Sequence, residues 1–322
     1  PMLSIEHIRE HPDEVRASLK TRGEEDSITE VLELDAQIRA AITQRDDLNA
    51  ERNRVSRELG QARSQGRGIS EDARAEMRKI GDHANVLNEK TKELGDKLNK
   101  LMLDLPNLPQ ADVPVGEDES GSVIIRQNGE PPVLDFTPKP HWELGEELGI
   151  IDFERGTKLA GSRFYNMMDY GPKLERALIG FMLDLHSKDH GYTEISLPAV
   201  VKRDIMEGSG NLPKFADNLY HDDEDDLWLI PTAEVPITNL YRDEIIPANT
   251  LPLKYVAQTP CFRREKASAG RDTRGIKRVH QFNKVEMYQF VEPDTSNDEL
   301  EHLVDHAEAV CRKLGFTYRV LQ

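Results

Sequence analysis

Two stretches of this sequence repeat apolar residues at alternating steps of three and four positions. In the first, eight of ten such positions are apolar or alanine: Val31, Leu34, Ile38, Ala41, Arg45, Leu48, Arg52, Val55, Leu59 and Ala62. In the second, a threonine is the one polar member: Ala73, Met77, Ile80, Ala84, Leu87, Thr91, Leu94, Leu98, Leu101 and Leu105. This spacing is typical of the seam along which helices of a coiled coil pack. It therefore predicts two long helices.

A glycine-rich run, Ser64–Ser70, separates the two heptad stretches. Its two glycines break the first helix, and Ser70 is predicted to cap the second. Two such helices form an antiparallel hairpin over about 28–104, and an arm of about 32 residues extends roughly 50 Å. Pro12, near a helix start, places a short helical cap at Met2–Leu19. Residues 1–105 are expected to form one N-terminal domain.

Basic residues cluster toward the predicted tip of this hairpin. They are Arg54, Arg57, Arg63, Arg67, Arg74, Arg78 and Lys79. The whole chain carries a net charge of −17, which by itself argues against a nucleic-acid partner. A local basic surface weakens that objection, while acidic surface elsewhere repels RNA from the wrong places. Periodicity alone leaves a dimerisation coil or a spacer open as alternatives.

Length and composition describe two domains with a polar surface. The chain has 322 residues, of which 31% are charged, and this length allows ample core. No apolar run approaches the length of a membrane span, and the N-terminus has no signal-peptide pattern. Cys261 and Cys311 are the only cysteines, which favours a reducing cytoplasm and gives no zinc spacing. Cys261 is expected to pack rather than react.

A proline-rich segment, 106–121, is predicted to link the hairpin to a second domain at 122–322. Patterns in that domain predict strands at Ser122–Arg126, Tyr192–Leu197 and Thr317–Gln322. They predict helices at His141–Leu148, Leu174–His190 and Asp298–Leu314, the last capped by Ser296 or Asn297. The second helix is amphipathic.

The most polar strand pattern lies between Pro260 and Glu286. The stretch is expected to form a strand, a long loop at Lys266–Gly275 and a second strand. Alternation places seven side chains on one face: Arg263, Glu265, Arg278, His280, Phe282, Lys284 and Glu286. Arginines suit phosphate, an aromatic ring offers a base a stacking surface, and carboxylates can hold an amino group. The alternative is a solvated sheet with cross-strand ion pairs.

Three other features have a structural explanation beside a functional one. The run Asp222–Asp226 indicates a solvated turn rather than a cation site, because its charges are consecutive. His302 and His306 are four apart on one helix but lack a third metal ligand, so a solvent-facing position is favoured. Arg163 fits either a site residue or a surface ion pair. No metal ligands are predicted within the chain.

Several of these patterns together resemble a known family. The run FRRE at 262–265, the loop, and RVHQF at 278–282 resemble motif 2 of the class II aminoacyl-tRNA synthetases. The longer string RGIKRVHQFNKVE at 274–286 is similar to the seryl-tRNA synthetases, as is the Thr-x-Glu loop within Pro231–Pro236. The helix and strand before Pro198 resemble motif 1. The resemblance implies an α+β fold, in which an antiparallel helical coiled-coil arm precedes an antiparallel β-sheet flanked by helices.

The resemblance also implies a reaction and its site residues. L-serine would be activated with ATP to seryl-adenylate, and the seryl group would pass to the 3′ end of tRNA(Ser). The catalytic residues would be Arg263, Arg278 and Glu286. ATP would contact Arg263, Glu265, Arg278, Val279 and Phe282, and serine would contact Thr232, Glu234, Arg263 and Glu286. The arm would grip tRNA(Ser) through Arg54, Arg57, Arg63, Arg67, Arg74 and Arg78.

The resemblance further implies a homodimer through residues 174–200 and Mg²⁺ accompanying ATP. Class II enzymes carry a third motif, and in seryl enzymes a Mg²⁺-binding glutamate lies just before it. Neither the motif nor the glutamate is found before Gln322. The β-sheet domain is therefore expected to be incomplete at its C-terminus, with magnesium ligands beyond residue 322 and adenylation by these residues severely impaired. Two alternatives stay open: a truncated non-catalytic paralogue that binds tRNA through the arm, and a coiled-coil scaffold.

Overall fold

The computed structural model describes residues 3–65, 71–116, 118–266 and 274–322. Contacts divide the chain into two units, Pro1–Ser122 and Val123–Gln322. The proline-rich segment 106–121 belongs to the first unit. The predicted turn of the arm, with Arg67 and the predicted cap Ser70, lies outside the described residues. Within the described residues, no helix combines the length and the hydropathy that crossing a bilayer requires.

The first unit is helical. Its helices are α1 (Ile5–Glu10), α2 (Pro12–Thr21), α3 (Ile28–Ser64) and α4 (Glu71–Asp104), followed by a 3₁₀ turn at Glu119–Gly121. Helix α2 starts at Pro12, as predicted, because a proline at the first helical position has no amide hydrogen to leave unpaired. Helices α3 and α4 pack against each other and form the arm.

Burial follows the heptad seam closely. The seam residues that the structure buries are Val31, Leu34, Ala41, Ile80, Ala84, Leu87, Leu94 and Leu105. Arg52 is an exception, because it lies on the exposed side of α3. Arg45 is half-buried and bonds Asp46 through two nitrogens, the shorter contact being 2.8 Å. Long basic side chains can cover apolar surface while the guanidinium stays in water, so both positions are tolerated.

An apolar cluster closes the base of the arm. Its buried members are Leu3, Ile8, Val15, Leu19, Ile28, Val31, Met102 and Leu105. They come from both short helices and from the ends of both long ones. Asp35 is also buried there, and its carboxylate accepts hydrogen bonds from Arg9 at 3.2 Å and from Arg39 at 2.8 Å. This cluster fixes the arm to the rest of the first unit.

The second unit mixes helices and strands. Its helices are α5 (His141–Glu147), α6 (Phe153–Ala160), α7 (Tyr170–Asp184), α8 (Arg203–Gly208), α9 (Glu234–Thr238) and α10 (Ser296–Lys313). Its strands are β1 (Ile124–Asn128), β2 (Ile151–Asp152), β3 (Asn166–Met167), β4 (Thr193–Glu194), β5 (Val200–Lys202), β6 (His221–Asp222), β7 (Leu227–Leu229), β8 (Leu253–Phe262), β9 (Gln281–Phe290) and β10 (Tyr318–Leu321).

The strands pair in four small sheets. The central one has the order β4-β8-β9, in which β8 and β9 are antiparallel over ten residues and β4 lies parallel to β8. A second sheet has the antiparallel order β5-β7-β6. The strand pairs β2-β3 and β1-β10 are also antiparallel. The predicted antiparallel sheet is therefore present, with one parallel neighbour that the sequence pattern did not indicate.

Several predicted boundaries are wrong in detail. The helix expected at 174–190 begins at Tyr170, and its hydrogen bonding becomes π-helical at Leu185–Asp189. The strand expected at 192–197 pairs only at Thr193–Glu194. Helix α10 starts at Ser296 after Thr295, without a side-chain cap. These ends depend on contacts with other elements, which local periodicity does not contain.

Three histidines and a tyrosine, here called the histidine cluster, join the end of α7 to α10. They are His186, His190, Tyr192 and His306. Nδ1 of His186 lies 3.0 Å from Nδ1 of His190, and the rings of His190 and His306 stack with centroids 4.0 Å apart. The hydroxyl of Tyr192 lies 3.0 Å from Nδ1 of His306. The solvent-facing position predicted for His306 is therefore wrong.

Burial keeps the histidine cluster neutral. It lowers the pKa of His186 to about 4, with the neighbouring His190 and His306 adding to the effect. Burial also lowers the pKa values of His190 and His306. At His190 the charges of Asp189 and Asp305 oppose this effect. The unfolded chain therefore binds more protons than the folded one between these values and the ordinary pKa of about 6.5. The stability that depends on the cluster is complete above about pH 6.5 and is lost as the pH falls toward about 4.

We expect the free energy of unfolding of the second unit to fall by about 2 kcal/mol on acidification from about pH 7 to about pH 4.5 through this cluster. Fluorescence of Trp142 and Trp228, the two tryptophans of the chain, reports unfolding of this unit in urea. His186→Gln should flatten this dependence on pH, whatever its effect on absolute stability. His302→Gln, at an exposed position on α10, should keep it. An unchanged slope in His186→Gln would contradict the assignment.

Candidate active site

Strands β8 and β9 form the floor of the candidate site. Their ladder runs without interruption to the pair Phe262–Gln281, and Glu286 stands opposite Ala257. Phe282, Lys284 and Glu286 alternate along β9 as the sequence predicts, and all three are half-buried. These side chains therefore share one face.

The other predicted members of that face lie beyond the ends of the strands. Strand β8 ends at Phe262, and Arg263 and Glu265 follow it; Glu265 has a φ of +49°. Arg278 and His280 precede β9. A positive φ is incompatible with an extended strand, so alternation cannot place Glu265. The prediction that these four residues belong to the strands is wrong, and loop contacts set their positions instead.

One cavity nevertheless collects most of the predicted residues. Its volume is about 880 Å³, and its lining includes Thr232, Glu234, Arg263, Glu265 and Arg278. The surrounding wall comes from the segments 211–219 and 231–234. Five of the eight residues expected to contact ATP or serine therefore line a single space.

Arg263 lies between the hairpin floor and the 231–234 segment. Its Nε donates to the carbonyl oxygen of Pro231 at 3.2 Å, and its guanidinium stands 5.2 Å from the centre of the Phe282 ring. One nitrogen is thus used for orientation, while an arginine carries further donors for an anion. The arrangement suits a phosphate or carboxylate next to a ring that could stack on a base.

Glu265 connects two arginines at the other side of the cavity. Its Oε2 accepts from Arg278 Nη1 at 3.3 Å, and its carbonyl oxygen accepts from Arg163 Nη1 at 3.1 Å. Arg163 therefore supports the site backbone through this bond. The Glu265 side chain is 11% exposed and Arg278 is 43% exposed. Arg278 can thus reach a ligand from the rim.

A compact polar group surrounds Thr232 on the cavity wall, and it includes Lys284 and Glu286, which do not themselves line the cavity. The Thr232 hydroxyl donates to Oε2 of Glu286 at 2.7 Å and accepts from Lys284 Nζ at 2.7 Å. It also accepts from the backbone amide of Glu234 at 3.2 Å, at the start of α9. Lys284 forms an ion pair with Glu286. Lys284 was placed on this face by alternation but given no role, and no local signal shows that it neutralises Glu286.

Apolar packing holds this polar group in place. Ala233, just before α9, and Ile237, on α9, pack against Ala257 of β8, with Tyr288 at the edge. Because Ala257 pairs with Glu286, this contact places the Thr232 segment over the glutamate. The Val279 side chain is buried as well, so any contact between this residue and ATP would use its backbone. Burial raises the pKa of the Cys261 thiol, which agrees with a packing role.

The basic residues of the arm are accounted for in part. Arg54 pairs with Glu58 at 3.1 Å and with Glu51 at 3.6 Å on the surface of α3. Arg57 and Arg78 donate to backbone carbonyls one turn earlier in their own helices. Arg67 and the side chain of Arg63 lie outside what the structure describes. In the described part of the chain, no group of three or more His, Cys, Asp or Glu residues could hold a metal ion.

Comparison with known families defines the class of protein. The class II core domain of tRNA synthetases (G, H, P, S and T) matches residues 215–322, which contain the hairpin and most of the cavity. The seryl-tRNA synthetase N-terminal domain matches residues 2–109, which contain the arm. The fold is thus that of a class II aminoacyl-tRNA synthetase.

Individual relatives are more specific. The serine–tRNA ligase of Thermomicrobium roseum is 54% identical over 322 residues, which make up 100% of this chain and 72% of that protein. The serine–tRNA ligase of Herpetosiphon aurantiacus is 50% identical, and the match spans 100% of this chain and 76% of that protein. The seryl-tRNA synthetase from Pyrococcus horikoshii complexed with ATP superposes with a TM-score of 0.91 at 37% identity, covering 99% of this chain and 76% of that one. The chain belongs to the seryl-tRNA synthetase family.

We expect Thr232→Val to lower the free energy of unfolding of the second unit by about 1–3 kcal/mol. Valine keeps the shape of the side chain but leaves Glu286, Lys284 and the Glu234 amide without their shared partner. Thr232→Ser keeps the hydroxyl and should remain much closer to the unmodified chain. Urea unfolding followed by tryptophan fluorescence measures both. Equal losses in the two variants would show that the hydroxyl does not bind this group together.

Proposed function

We propose that the second unit of this chain supplies the site at which a serine–tRNA ligase activates L-serine with ATP, before the seryl group passes to tRNA(Ser). In the first step a serine carboxylate oxygen attacks the α-phosphorus of ATP, and the bond to pyrophosphate breaks. In the second, a ribose hydroxyl of the terminal adenosine attacks the seryl carbonyl carbon, loses its proton and releases AMP. The observation that carries the proposal is the single cavity that brings Arg263, Arg278 and Glu265 next to Thr232 and Glu234.

The first step depends on positioning and charge neutralisation more than on acid–base chemistry. Arg263 holds the α-phosphate and the serine carboxylate, and its fixed Nε contact supports this orientation. Arg278 meets the outer phosphates from the rim. Phe282 stacks on adenine, and Glu265 accepts from the adenine amino group. Val279 contributes through its backbone.

Serine binds beside Thr232 in this proposal. Its ammonium group binds Glu234 and Thr232. Its hydroxyl donates a hydrogen bond to Glu286, whose charge is balanced by Lys284. A site built for a hydroxyl rejects an analogue without one, because the buried partner would stay unpaired. Magnesium supplied with ATP would neutralise part of the phosphate charge. Among the described residues, no cluster of three or more His, Cys, Asp or Glu could hold the ion.

The proposal includes tRNA(Ser) on the arm, a homodimer and action in the cytoplasm. Residues 174–200 form the dimer contact. Leu174 is 59% exposed and Tyr170, at the start of the same helix, is 67% exposed, which supports an apolar partner surface on α7. The described arginines of the arm are surface residues that can turn toward phosphates.

We expect the chain to bind the sulfamoyl analogue of seryl-adenylate, in which a sulfamoyl group replaces the reactive phosphate. Arg263→Ala should weaken this binding by about a hundredfold, because it removes a charge-assisted hydrogen bond to the phosphate position. Arg203→Ala, which removes a surface arginine paired with Asp226, serves as the matched control. Titration calorimetry measures all three chains.

The same titration with the alanyl analogue tests specificity for the hydroxyl. Binding should be weaker by at least about tenfold. No binding of the seryl analogue to the unmodified chain, or unchanged binding to Arg263→Ala, would sink the proposed site and favour a tRNA-binding paralogue.

We expect Arg74→Ala combined with Arg78→Ala to weaken binding of tRNA(Ser). The slope of log affinity against log salt should become shallower by about 1 for each phosphate that the arm no longer neutralises. Lys97→Ala combined with Lys100→Ala changes the same charge at the other end of α4 and should have little effect. Fluorescence anisotropy at several salt concentrations measures the slope. The same change in both pairs would contradict recognition by the distal part of the arm.

A further inference from the structure

The first turn of α5 contacts the chain as it returns toward β9. His141 is the first residue of this helix, and its Nε2 accepts a hydrogen bond from the backbone amide of Ile276 at 2.9 Å. The guanidinium of Arg274 lies 5.5 Å from the centre of the Trp142 ring. Residues 135 positions apart in the sequence are thus joined directly.

Gly275 fits closely against the same two rings. Its φ is +82°, and a Cβ at this position would overlap Nε2 and Cε1 of His141 and lie 3.0 Å from Cε3 of Trp142. Glycine is therefore required twice, for its left-handed conformation and for the close approach of the backbone to the imidazole. The segment 274–276 lies flat on α5.

Helix α5 is itself a firm support. Gly145 packs so closely on Ile151 that a Cβ would lie 2.6 Å from its Cδ1, and the Ile150 amide donates to the Gly145 carbonyl at 2.9 Å. Lys139 and Glu147 form an ion pair across the helix, with one contact of 2.7 Å. A contact with α5 therefore fixes the returning chain to the body of the second unit.

Arg278 follows this contact by two residues. Val279 is buried directly after it, and the His280 amide donates to the Arg163 carbonyl at 3.2 Å. The exposed residues Lys277 and Arg278 thus lie between two fixed points, Ile276 and Val279. Because the backbone is held on both sides, the position of Arg278 at the rim of the cavity is fixed, and its guanidinium donates there to Glu265.

We propose that His141 is a positioning residue for ATP. It accepts a hydrogen bond from the Ile276 amide and packs against Gly275, and these contacts hold Arg278 where its guanidinium can bind the outer phosphates. The inference rests on the proposed function, in which Arg278 meets those phosphates. Phe282, which stacks on adenine there, lies within β9 and is held by the ladder instead. Loss of the His141 contact should therefore weaken binding of the triphosphate and spare that of the nucleoside.

The test compares ATP with adenosine on the whole chain. His141→Leu keeps apolar bulk but removes the acceptor, and it should raise the dissociation constant for MgATP about tenfold while changing that for adenosine less than about twofold. His141→Gln offers an amide oxygen to the Ile276 amide and should restore most of the ATP affinity. Titration calorimetry gives both constants.

A pair of glycine variants tests the same contact from the other side. Gly275→Ala should weaken ATP binding at least as much as His141→Leu does. Gly149→Ala carries a similar backbone strain, with φ at +67° and nothing within 4 Å of the added Cβ, and should leave ATP binding unchanged. This control separates the strain of a left-handed alanine from the displacement of His141.

The outcomes separate the two proposals. No ATP binding by the unmodified chain would overturn the proposed function and the inference with it. ATP binding that resists His141→Leu, equal ATP affinities of the Leu and Gln variants, or equal loss of ATP and adenosine would overturn the inference alone. The last result would mean that His141 only stabilises the fold.

Discussion

The point at which β8 and β9 part determines the shape of the catalytic unit. One backbone bond, from the Arg263 amide to the His280 carbonyl at 3.0 Å, continues the ladder beyond its last pair. After it the Arg264 amide bonds to the Asn218 carbonyl at 2.9 Å, and the His280 amide bonds to that of Arg163. Since backbone groups at this depth need partners, each diverging strand end fixes a different segment. The segment that contains Asn218 forms one wall of the cavity.

Charges in and beside that cavity are balanced before any ligand arrives. Lys284 neutralises Glu286 around the Thr232 hydroxyl, and Arg278 contacts Glu265. A partly buried charge without a partner would destabilise the unit, because the loss of its hydration would not be compensated. A ligand with an ammonium group and phosphates can exchange partners with these groups rather than bring charge to an empty site. Such a preorganised polar site suits a reaction that depends on electrostatic positioning.

The polar site depends on small apolar contacts beneath it. Ala233, Ile237 and Ala257 seat α9 on the hairpin, and a second cluster around Met206, Trp228 and Ile230 supports the β5-β7-β6 sheet. The first unit follows a different plan, in which a largely apolar seam stabilises two long helices and leaves their outer faces to charge. The two units thus meet different structural requirements. The second unit packs closely around a cavity, and the first extends two long helices.

Local sequence determined the arm and the membership of the family. Heptad spacing is a property of neighbouring residues, so it located a seam whose described side chains are buried or half-buried, apart from Arg52. The run at 274–286 indicated the second strand of the hairpin, which the structure shows as β9. Strand alternation correctly placed Phe282, Lys284 and Glu286, because all three lie inside β9. Only the tertiary structure decided that Glu265 leaves the strand, that Lys284 pairs with Glu286 beside the Thr232 hydroxyl, that His306 stacks on His190, and that His141 accepts from the Ile276 amide. Most of these depend on hydrogen bonds, ring contacts and close packing between residues far apart in the chain, and no local pattern records which distant groups will meet.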